Sequence, residues 1–449
     1  MIDSAMRIVF LNQYYPPDAA PTGVMLEAVA RELVAQGHEV TVICAEGGYA
    51  GSKTEDRETE DRRRGSMTTD QGLRTKDAPQ ALGHGPPTLS GHARLLRIGA
   101  TRFGRVSFVG KLLDYLSYYL GVAWKLGTMR PAPERMVALT TPPYLSVLAR
   151  MMSRLRGGTH AHWVMDIYPD VMVSHGMLQE GGLLQRMLAW LARWGWGGKR
   201  CGMILTLGPC MADRLRRVLG SGASLNAGNL QHVPLWSGAE REVAEAELKD
   251  LRAARGWREG EVVVMYSGNM GLGHRFGELF AAIVELSASS PGKFRFVFFG
   301  KGRRRAEVEA FLKDHPDLPI ELHDYVAEED LAAHLRSADL HVASLDPAWT
   351  GTMLPSKLQG IFAAGRPVVF IGGEDSSMAA WVRESGAGWV VAPGNDQALM
   401  AALLAALDGD LLRRMGQRAA EFGKRHFQKE SNVSAAAAAL TRLHSGKKA

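Results

Sequence analysis

The chain has 449 residues, enough for two or three domains at ~100–200 residues each. Apolar residues make up 46% and charged residues 22%, with 50 Gly and 20 Pro, which excludes disorder, collagen-like and coiled-coil classes for the bulk of the chain. A formal charge of +6 suits nucleic acid, anionic lipid or phosphorylated substrates without choosing among them, and no helix-turn-helix, zinc-finger or RNP-like signature supports nucleic acid.

In chain order, residues 1–10 carry Asp3 and only a short apolar run, unlike a signal peptide, so export is not expected. Short β-branched or apolar runs then alternate with helical patterns, the signature of parallel sheets covered by helices on both faces. The first half predicts strands over 7–11, 39–44, 95–98, 136–139, 162–165 and 203–207. Between the second and third of these, residues 47–91 mix charge with Gly, Ser, Thr and Pro and hold almost no large apolar side chain. Such a segment cannot bury enough surface to offset its ordering entropy and reads as a mobile insertion, its Arg62, Arg63 and Arg64 as a solvated patch. The most apolar stretch, 106–126, is interrupted by Lys111, Asp114 and Lys125 and leaves no span of ~20 apolar residues for a membrane helix. A Pro-Leu-Trp-Ser-Gly turn at 234–238 and a helical segment over 239–255 place a domain boundary near Gly238. The second half predicts strands over 262–267, 294–299, 320–323, 340–343, 367–371 and 388–391, and an alanine-rich helix over 434–440. Cys44, Cys201 and Cys210 show no CxxC or Cys/His ligand spacing, so neither a disulfide framework nor a metal site is expected, and the thiols read as free in a reducing cytosol.

Two segments carry chemistry. The first, Val-Val-Val-Met-Tyr-Ser-Gly-Asn-Met-Gly-Leu-Gly-His-Arg from Val262, is a strand entering a Gly-rich turn and then a helix from about Arg275. Backbone N–H groups at Gly268, Gly271 and Gly273 can approach phosphate oxygens closely, with the positive end of a helix dipole behind them. A diphosphate would fit there, and plain strand-helix packing is the competing use of such glycines. No acidic residue closes the following strand at Phe299, which disfavours a nicotinamide dinucleotide. In the second segment, Thr350 to Phe370, Pro355 suits a first helical turn and Gly365 a C-terminal cap. Ser356 and Lys357 would then stand at a helix N-terminus at the mouth of the sheet, where hydroxyl, ammonium and free N–H groups converge on an anion.

These segments resemble retaining glycosyltransferases of family 4. Residues 7–44, with Tyr-Tyr-Pro-Pro-Asp, Gly23 and Gln-Gly-His-Glu-Val-Thr-Val-Ile, look like that family's opening. Residues 266–271, 336–343 and 354–369 look like its donor domain, and Leu-Pro-Ser-Lys-Leu is closest to members that build bacterial exopolysaccharide and O-antigen chains. The resemblance implies an α/β chain of GT-B architecture, with two facing Rossmann-like domains, parallel sheets and a cleft between them. Their extents would be 1–238 for the acceptor, 239–428 for the nucleotide sugar, and 429–449 for a helix and tail crossing back to the first domain. Asn269, Arg275, Lys301 and Lys357 would be diphosphate partners, Gly23 would bring backbone close to the diphosphate, and Asp324 and Tyr325 would lie near the base. The family is generally metal-independent, so cationic side chains do what a magnesium ion does elsewhere; no cofactor or metal is expected.

The sequence also departs from that family. Many members have two glutamates eight positions apart where this chain has Thr352 and Gly360, with Gln359 a weak substitute, so the usual contacts to donor sugar and ribose are in question. In the acceptor half, His160-Ala-His-Trp-Val-Met-Asp resembles the segment where a polar residue meets the reacting sugar, and Asp166 is the residue placed there, with His162 and Asp170 as alternatives and an N-cap or turn role as the competing reading. His175 and His232 read as loop histidines. Residues 112–126 and 183–196 are rich in Tyr and Trp, with Lys and Arg nearby; either core packing or a surface beside an anionic membrane fits.

The expectation is a cytoplasmic enzyme, at the inner face of the plasma membrane where its acceptor is lipid-linked. It would transfer sugar from a nucleotide diphosphate donor, UDP-linked by expectation, to a glycan or lipid-linked acceptor with retention. A non-catalytic nucleotide-sugar-binding partner of another transferase, or a nucleotide-sugar epimerase of the same shape, are the alternatives.

Overall fold

A computed structural model describes residues 5–18, 20–46, 93–99, 101, 108–220, 229–238 and 241–442. The insertion expected over 47–91 lies outside the described residues. The chain divides into two compact units, Met1–Ala161 and His162–Ala449.

The first unit runs β1 (Arg7–Leu11), α1 (Pro21–Ala35), β2 (Glu39–Ala45), β3 (Arg94–Ile98), α2 (Phe108–Thr128), β4 (Arg135–Ala138) and α3 (Leu145–Arg156), with β5 (Thr159–Trp163) at its end. β1 pairs in parallel with β2 through Ile8↔Val40 and with β4 through Ile8↔Arg135. Strands covered on both faces read as continuous apolar runs, as in Ile8, Val9, Phe10 and Leu11, all at most 2% exposed. One face of this sheet packs Val9, Leu11, Ile43 and Met136 against Tyr118, Val122 and Leu126 of α2 and Leu145 and Leu148 of α3.

The second unit continues with α4 (Asp170–Ser174), α5 (Leu183–Trp196), β6 (Cys201–Thr206), α6 (Pro209–Leu219), β7 (Leu230–His232) and α7 (Glu245–Ala254). Then follow β8 (Val262–Ser267), α8 (Gly277–Ser289), β9 (Phe294–Phe299), α9 (Arg305–Asp314), β10 (Ile320–His323), α10 (Leu331–Arg336) and β11 (Leu340–Leu345). α11 (Lys357–Ala363), β12 (Val368–Gly372), α12 (Ser377–Ser385), β13 (Gly388–Val391), α13 (Asp396–Ala405), α14 (Gly409–His426) and α15 (Lys429–Thr441) complete it. The strand orders are β3-β2-β1-β4-β5-β6-β7 and β10-β9-β8-β11-β12-β13, two Rossmann-like parallel sheets. The pleat sorts β8 between two cores: Val264 and Tyr266 join Phe296, Phe298 and Ile283 on one face, while Val263 and Met265 join Val297, Phe299 and Trp257 on the other. α15 packs on β6, and the Asn432 amide donates to Pro234 O at 3.1 Å. Among the described residues, no helix is long and apolar enough to cross a membrane.

Four local expectations are corrected. The strand expected over 162–165 is β5, Thr159–Trp163, because His160 and His162, each 1% exposed, sit inside the buried strand and break the apolar run that sequence reading follows. β7 spans three residues, too short to read, and places His232 at a strand end rather than in a loop. The helix expected from Arg275 begins at Gly277, and Pro355 lies before the N-cap Ser356 of α11 instead of in its first turn; Gly365, at φ +64°, does take the left-handed position that ends that helix.

Candidate active site

In the second sheet β8 lies between β9 and β11, and chain order reverses between β8 and β11, so the crevice beyond their carboxyl ends is where such sheets take ligands. The Gly-rich turn opens there. Gly268, at φ +120°, donates its N–H to Phe299 O at 2.9 Å, and Met270 N donates to Lys301 O at 2.8 Å. The facing turn after β9 is held by two further glycines. Gly300 and Gly302 have φ of +132° and +143°, and a Cβ on them would collide with the carbonyls of Gly268 and Met270. These two positions were not picked out from sequence, although Phe-Gly-Lys-Gly after an apolar strand is the available signal.

Lys357, first residue of α11, reaches into this turn. Its Nζ donates to Ser267 O at 3.0 Å, lies 4.2 Å from the Tyr266 ring centroid, and would be 2.7 Å from a Cβ on Gly268. Burial, with no carboxylate partner among the described residues, lowers its pKa to about 7. The ammonium thus leans on two carbonyls, Ser267 O and, at 3.5 Å, Asn269 O, and on a ring face, all weaker partners than a phosphate. Tyr266 fixes the turn from below, its hydroxyl donating to Asn269 O at 2.9 Å.

Two neutral histidines complete the frame. Arg255 lies 3.2 Å from His334 Nδ1 and acts as donor, which leaves Nε2 to donate to Ser267 Oγ at 3.0 Å. Burial, then the Arg255 charge, lowers the His334 pKa to about 3. His274 donates from Nδ1 to Ser344 O at 2.7 Å, and burial, then Lys357, lowers its pKa to about 3. Neither adds a positive charge near Lys357 at neutral pH.

Arg275 sits differently. Its guanidinium binds Glu278 at 2.6 Å and Asp346 at 2.9 Å, and it borders a cavity of about 500 Å³ with Glu278, Arg304 and Asp346. Lys301 pairs with Asp324 at 2.8 Å, as does Arg305, and Lys301 with Arg305 holds that carboxyl below its ordinary value. Tyr325 is 53% exposed beside them, its hydroxyl 3.4 Å from Lys301 O. Gly271 lies near Asn269 and His274, and Gly273 against the Trp349 ring. Ser356 is the exposed N-cap of α11 with no capping bond from its side chain. Gln359 is 1% exposed, and both of its amide atoms lack a hydrogen-bond partner among the described residues.

Asp166 forms an isolated antiparallel bridge with Met353, and the next N–H, Ile167, donates to Thr352 O at 2.8 Å. Burial raises the Asp166 pKa to about 6, so this carboxyl titrates near neutrality. Segment 346–353 is clamped from several sides. Ser174 Oγ donates to Ala348 O at 2.8 Å, the His175 ring meets Trp349 edge-on at 4.5 Å, and Arg214, paired with Asp170 at 2.6 Å, reaches Thr350 O. Thr352, fully buried, donates its hydroxyl to Trp349 O at 2.8 Å, and a Cβ on Gly360 would touch Leu335. Asp170 therefore serves this clamp, and His162 is buried at 1% exposure. In the first unit, Gly23 lies in the first turn of α1, where a Cβ would stand 3.1 Å from Tyr14 O. A larger residue would push α1 off the loop before it.

The second unit thus brings together Gly268, Asn269, Lys301, Lys357 and Tyr325 at one strand mouth, where the Lys357 ammonium can meet an anion; the Gly268 N–H, expected to face a phosphate, is instead given to Phe299 O. Residues 261–409 match the family model of glycosyl transferases group 1. The chain is 25% identical over 436 residues to WcaI of Escherichia coli (strain K12), named a colanic acid biosynthesis glycosyl transferase, covering 95% of this chain and 97% of that protein. Its fold is similar to Anabaena HepE in complex with UDP, with TM-score 0.66, 12% identity, and 98% and 100% of the two chains covered. It is likewise similar to WaaG, a glycosyltransferase involved in lipopolysaccharide biosynthesis, with TM-score 0.63, 17% identity, and 97% and 99% covered. The architecture is GT-B, and by the family model that its second sheet matches, the chain is a glycosyltransferase.

Proposed function

We propose that the chain transfers a sugar from a UDP-linked donor to a glycan or lipid-linked acceptor in cell-envelope polysaccharide synthesis, with retention of anomeric configuration. The observation that carries this reading is Lys357 lodged in the Gly268–Asn269 turn with only carbonyl and ring partners. A donor diphosphate is a better partner for that ammonium than either, and its arrival would raise the Lys357 pKa and keep the charge in place. The relatives named for colanic acid and lipopolysaccharide synthesis, and the fold neighbour holding UDP, support the donor and pathway class.

In the reaction, the bond between the anomeric carbon and the diphosphate breaks while the acceptor oxygen bonds to that carbon on the same face. Charge developing on the leaving phosphate falls to Lys357 and to N–H groups of the turn other than those of Gly268 and Met270, which are given to Phe299 O and Lys301 O. The acceptor proton passes to the leaving phosphate oxygen. Asp166 we place against the reacting sugar or acceptor, where a carboxyl titrating at about pH 6 can accept a hydroxyl hydrogen bond. The acceptor half is taken as 1–238, the donor half as 239–428. A lipid-linked acceptor would hold the enzyme at the inner, anionic face of the plasma membrane.

A thermal-shift panel of UDP, GDP, UDP-glucose, UDP-galactose and GDP-mannose on the whole chain, followed by UDP-release assays with candidate acceptors, tests this. UDP binding with no turnover would favour the non-catalytic partner, and a changed sugar without acceptor the epimerase. Stabilisation by GDP but not UDP would overturn the donor assignment.

A further inference from the structure

Along the mouths of the second sheet the strand order is β10-β9-β8-β11, and the groups of the site follow it. Tyr325 comes after β10, Lys301 after β9, and the Gly-rich turn with Lys357 after β8. His274 is the next step toward β11. Its Nδ1 donates to Ser344 O of that strand at 2.7 Å, and His274 N donates to Gly271 O at 3.1 Å to close the turn before it. A carbonyl can only accept, so the ring proton sits on Nδ1 and Nε2 carries a lone pair. Burial, at 5% exposure, and the nearby Lys357 charge hold the pKa at about 3, so Nε2 stays an acceptor across the neutral range. Among the described residues none donates to it. Gly271 does not take a left-handed φ, so the backbone makes no demand for glycine there. A Cβ on it would stand 3.3 Å from Asn269 Nδ2 and 4.0 Å from His274 Cδ2, the carbon bonded to Nε2. The missing side chain leaves open the space between an amide donor and an imidazole acceptor.

We propose that Asn269 and His274 read one hydroxyl of the donor's sugar, the Asn269 amide donating to its oxygen and His274 Nε2 accepting its hydrogen. The inference rests on the nucleotide-sugar reading and adds which end of the donor this pair holds. An ionised phosphate oxygen has no hydrogen to give to Nε2, whereas a hydroxyl both gives and takes. Strand order selects the sugar over the ribose. With the diphosphate at Lys357, on the end of β8, one flank leads toward Lys301 and Tyr325 beyond β9 and β10, where a half-exposed ring offers a base a stacking face. The other flank leads to His274 and β11, where Asp346 N donates to Gly273 O at 2.8 Å and the chain runs on to Met353, the bridge partner of Asp166. Base and ribose take the first flank, which leaves the second for the sugar, on the side of the carboxyl placed against the reacting groups.

The test is titration calorimetry of the whole chain with UDP, UDP-glucose and UDP-galactose, the tighter-binding sugar then being followed through its monodeoxy series. His274→Asn keeps an amide to donate to Ser344 O and removes Nε2. It should bind UDP as the wild type does and the UDP-sugar about 3–10-fold more weakly, the size of one neutral hydrogen bond. His274→Gln, whose side-chain oxygen reaches the Nε2 position, should recover part of that loss. Gly271→Ala fills the open space without backbone strain and should show the same split, which keeps the test decisive where a buried His274 variant fails to fold. One monodeoxy donor should lose the same factor on the wild type and nothing further on His274→Asn, the signature of a direct pair. Equal losses for UDP and the UDP-sugar would overturn the proposal and put His274 on the phosphate or ribose. So would a deoxy series in which every loss simply adds to that of His274→Asn. If the wild type binds no UDP, the donor reading falls and this inference with it; if UDP binds and the variants leave the sugar's share untouched, only this inference falls.

Discussion

The two ends of the Gly-rich turn hold one cation each, and the difference between them tells how a charge is kept available. At the strand end, Lys357 has Ser267 O at 3.0 Å and the Tyr266 ring at 4.2 Å, with no carboxylate among the described residues, and its pKa falls to about 7. At the helix end, Arg275 is neutralised by Glu278 at 2.6 Å and Asp346 at 2.9 Å. Sequence reading put both on one diphosphate. Geometry gives the first an anion-seeking position and the second a bracing one, tying the start of α8 to the residue after β11.

The largest expected effect is on Lys357. Removing one preorganised charge contact at a leaving group costs ~10²–10³ in rate, so Lys357→Ala should lose transfer on that scale with an unchanged circular-dichroism spectrum. Near wild-type turnover would remove the basis of the comparison.

Next comes the turn that frames it. Gly300→Ala puts a Cβ onto the Gly268 carbonyl at a φ of +132°, and such overpacking costs about 1–3 kcal/mol. Urea unfolding should show that loss together with weaker UDP binding, whereas a variant as stable as wild type would mean the two turns are less tightly set than their geometry requires.

The pH dependence separates the two ends directly. With a folded-state pKa lowered to about 7 from 10.5, Lys357 gives up its proton while the unfolded chain still holds one. The stability contribution of this group therefore rises with pH between those values. UDP affinity should move the other way, falling by up to about tenfold per pH unit above pH 7 as the ammonium discharges. Titration calorimetry from pH 6 to 9 measures this, and Lys357→Arg, always charged, should flatten the curve. A flat wild-type profile would place the affinity elsewhere.

The smallest effect belongs to Arg275→Gln. With two carboxylates already on it, its removal should lower the transfer rate less than about fivefold while costing ~1 kcal/mol or more of stability, because Glu278, 7% exposed, loses its partner. A rate loss equal to that of Lys357→Ala would show that Arg275 leaves its carboxylates for the donor and would erase the distinction.

Much of the fold was legible because its signals are local. A strand buried on both faces needs an unbroken apolar run, and among the described residues twelve of thirteen strands coincide with runs read from sequence or overlap them within a few residues. β5 shifted and β7 escaped because buried histidines and a length of three residues give no such run. The turn glycines were legible too, since φ near +120° at Gly268 is a demand of the backbone alone. Gly300 and Gly302 make the same backbone demand at φ of +132° and +143°, but what singles them out, the Gly268 and Met270 carbonyls against which a Cβ would collide, comes from a turn some 30 residues away.

By itself, then, the sequence determined the parallel sheets, the Gly-rich turn at the end of β8 and a helix opening within two residues of Lys357, all set by residues within a few positions of one another. Tertiary structure decided the rest. Lys357 meets Ser267 across 90 residues, and Arg275 meets Asp346 across 71, so which cation stays open depends on strand order and not on motif. The same holds for the aromatic helices, where packing buries Tyr118 and Trp196 and leaves Trp124 and Trp190 in the open. Composition could not separate them, because a helix face is apolar for whatever covers it, and only the position of the sheet says which face that is.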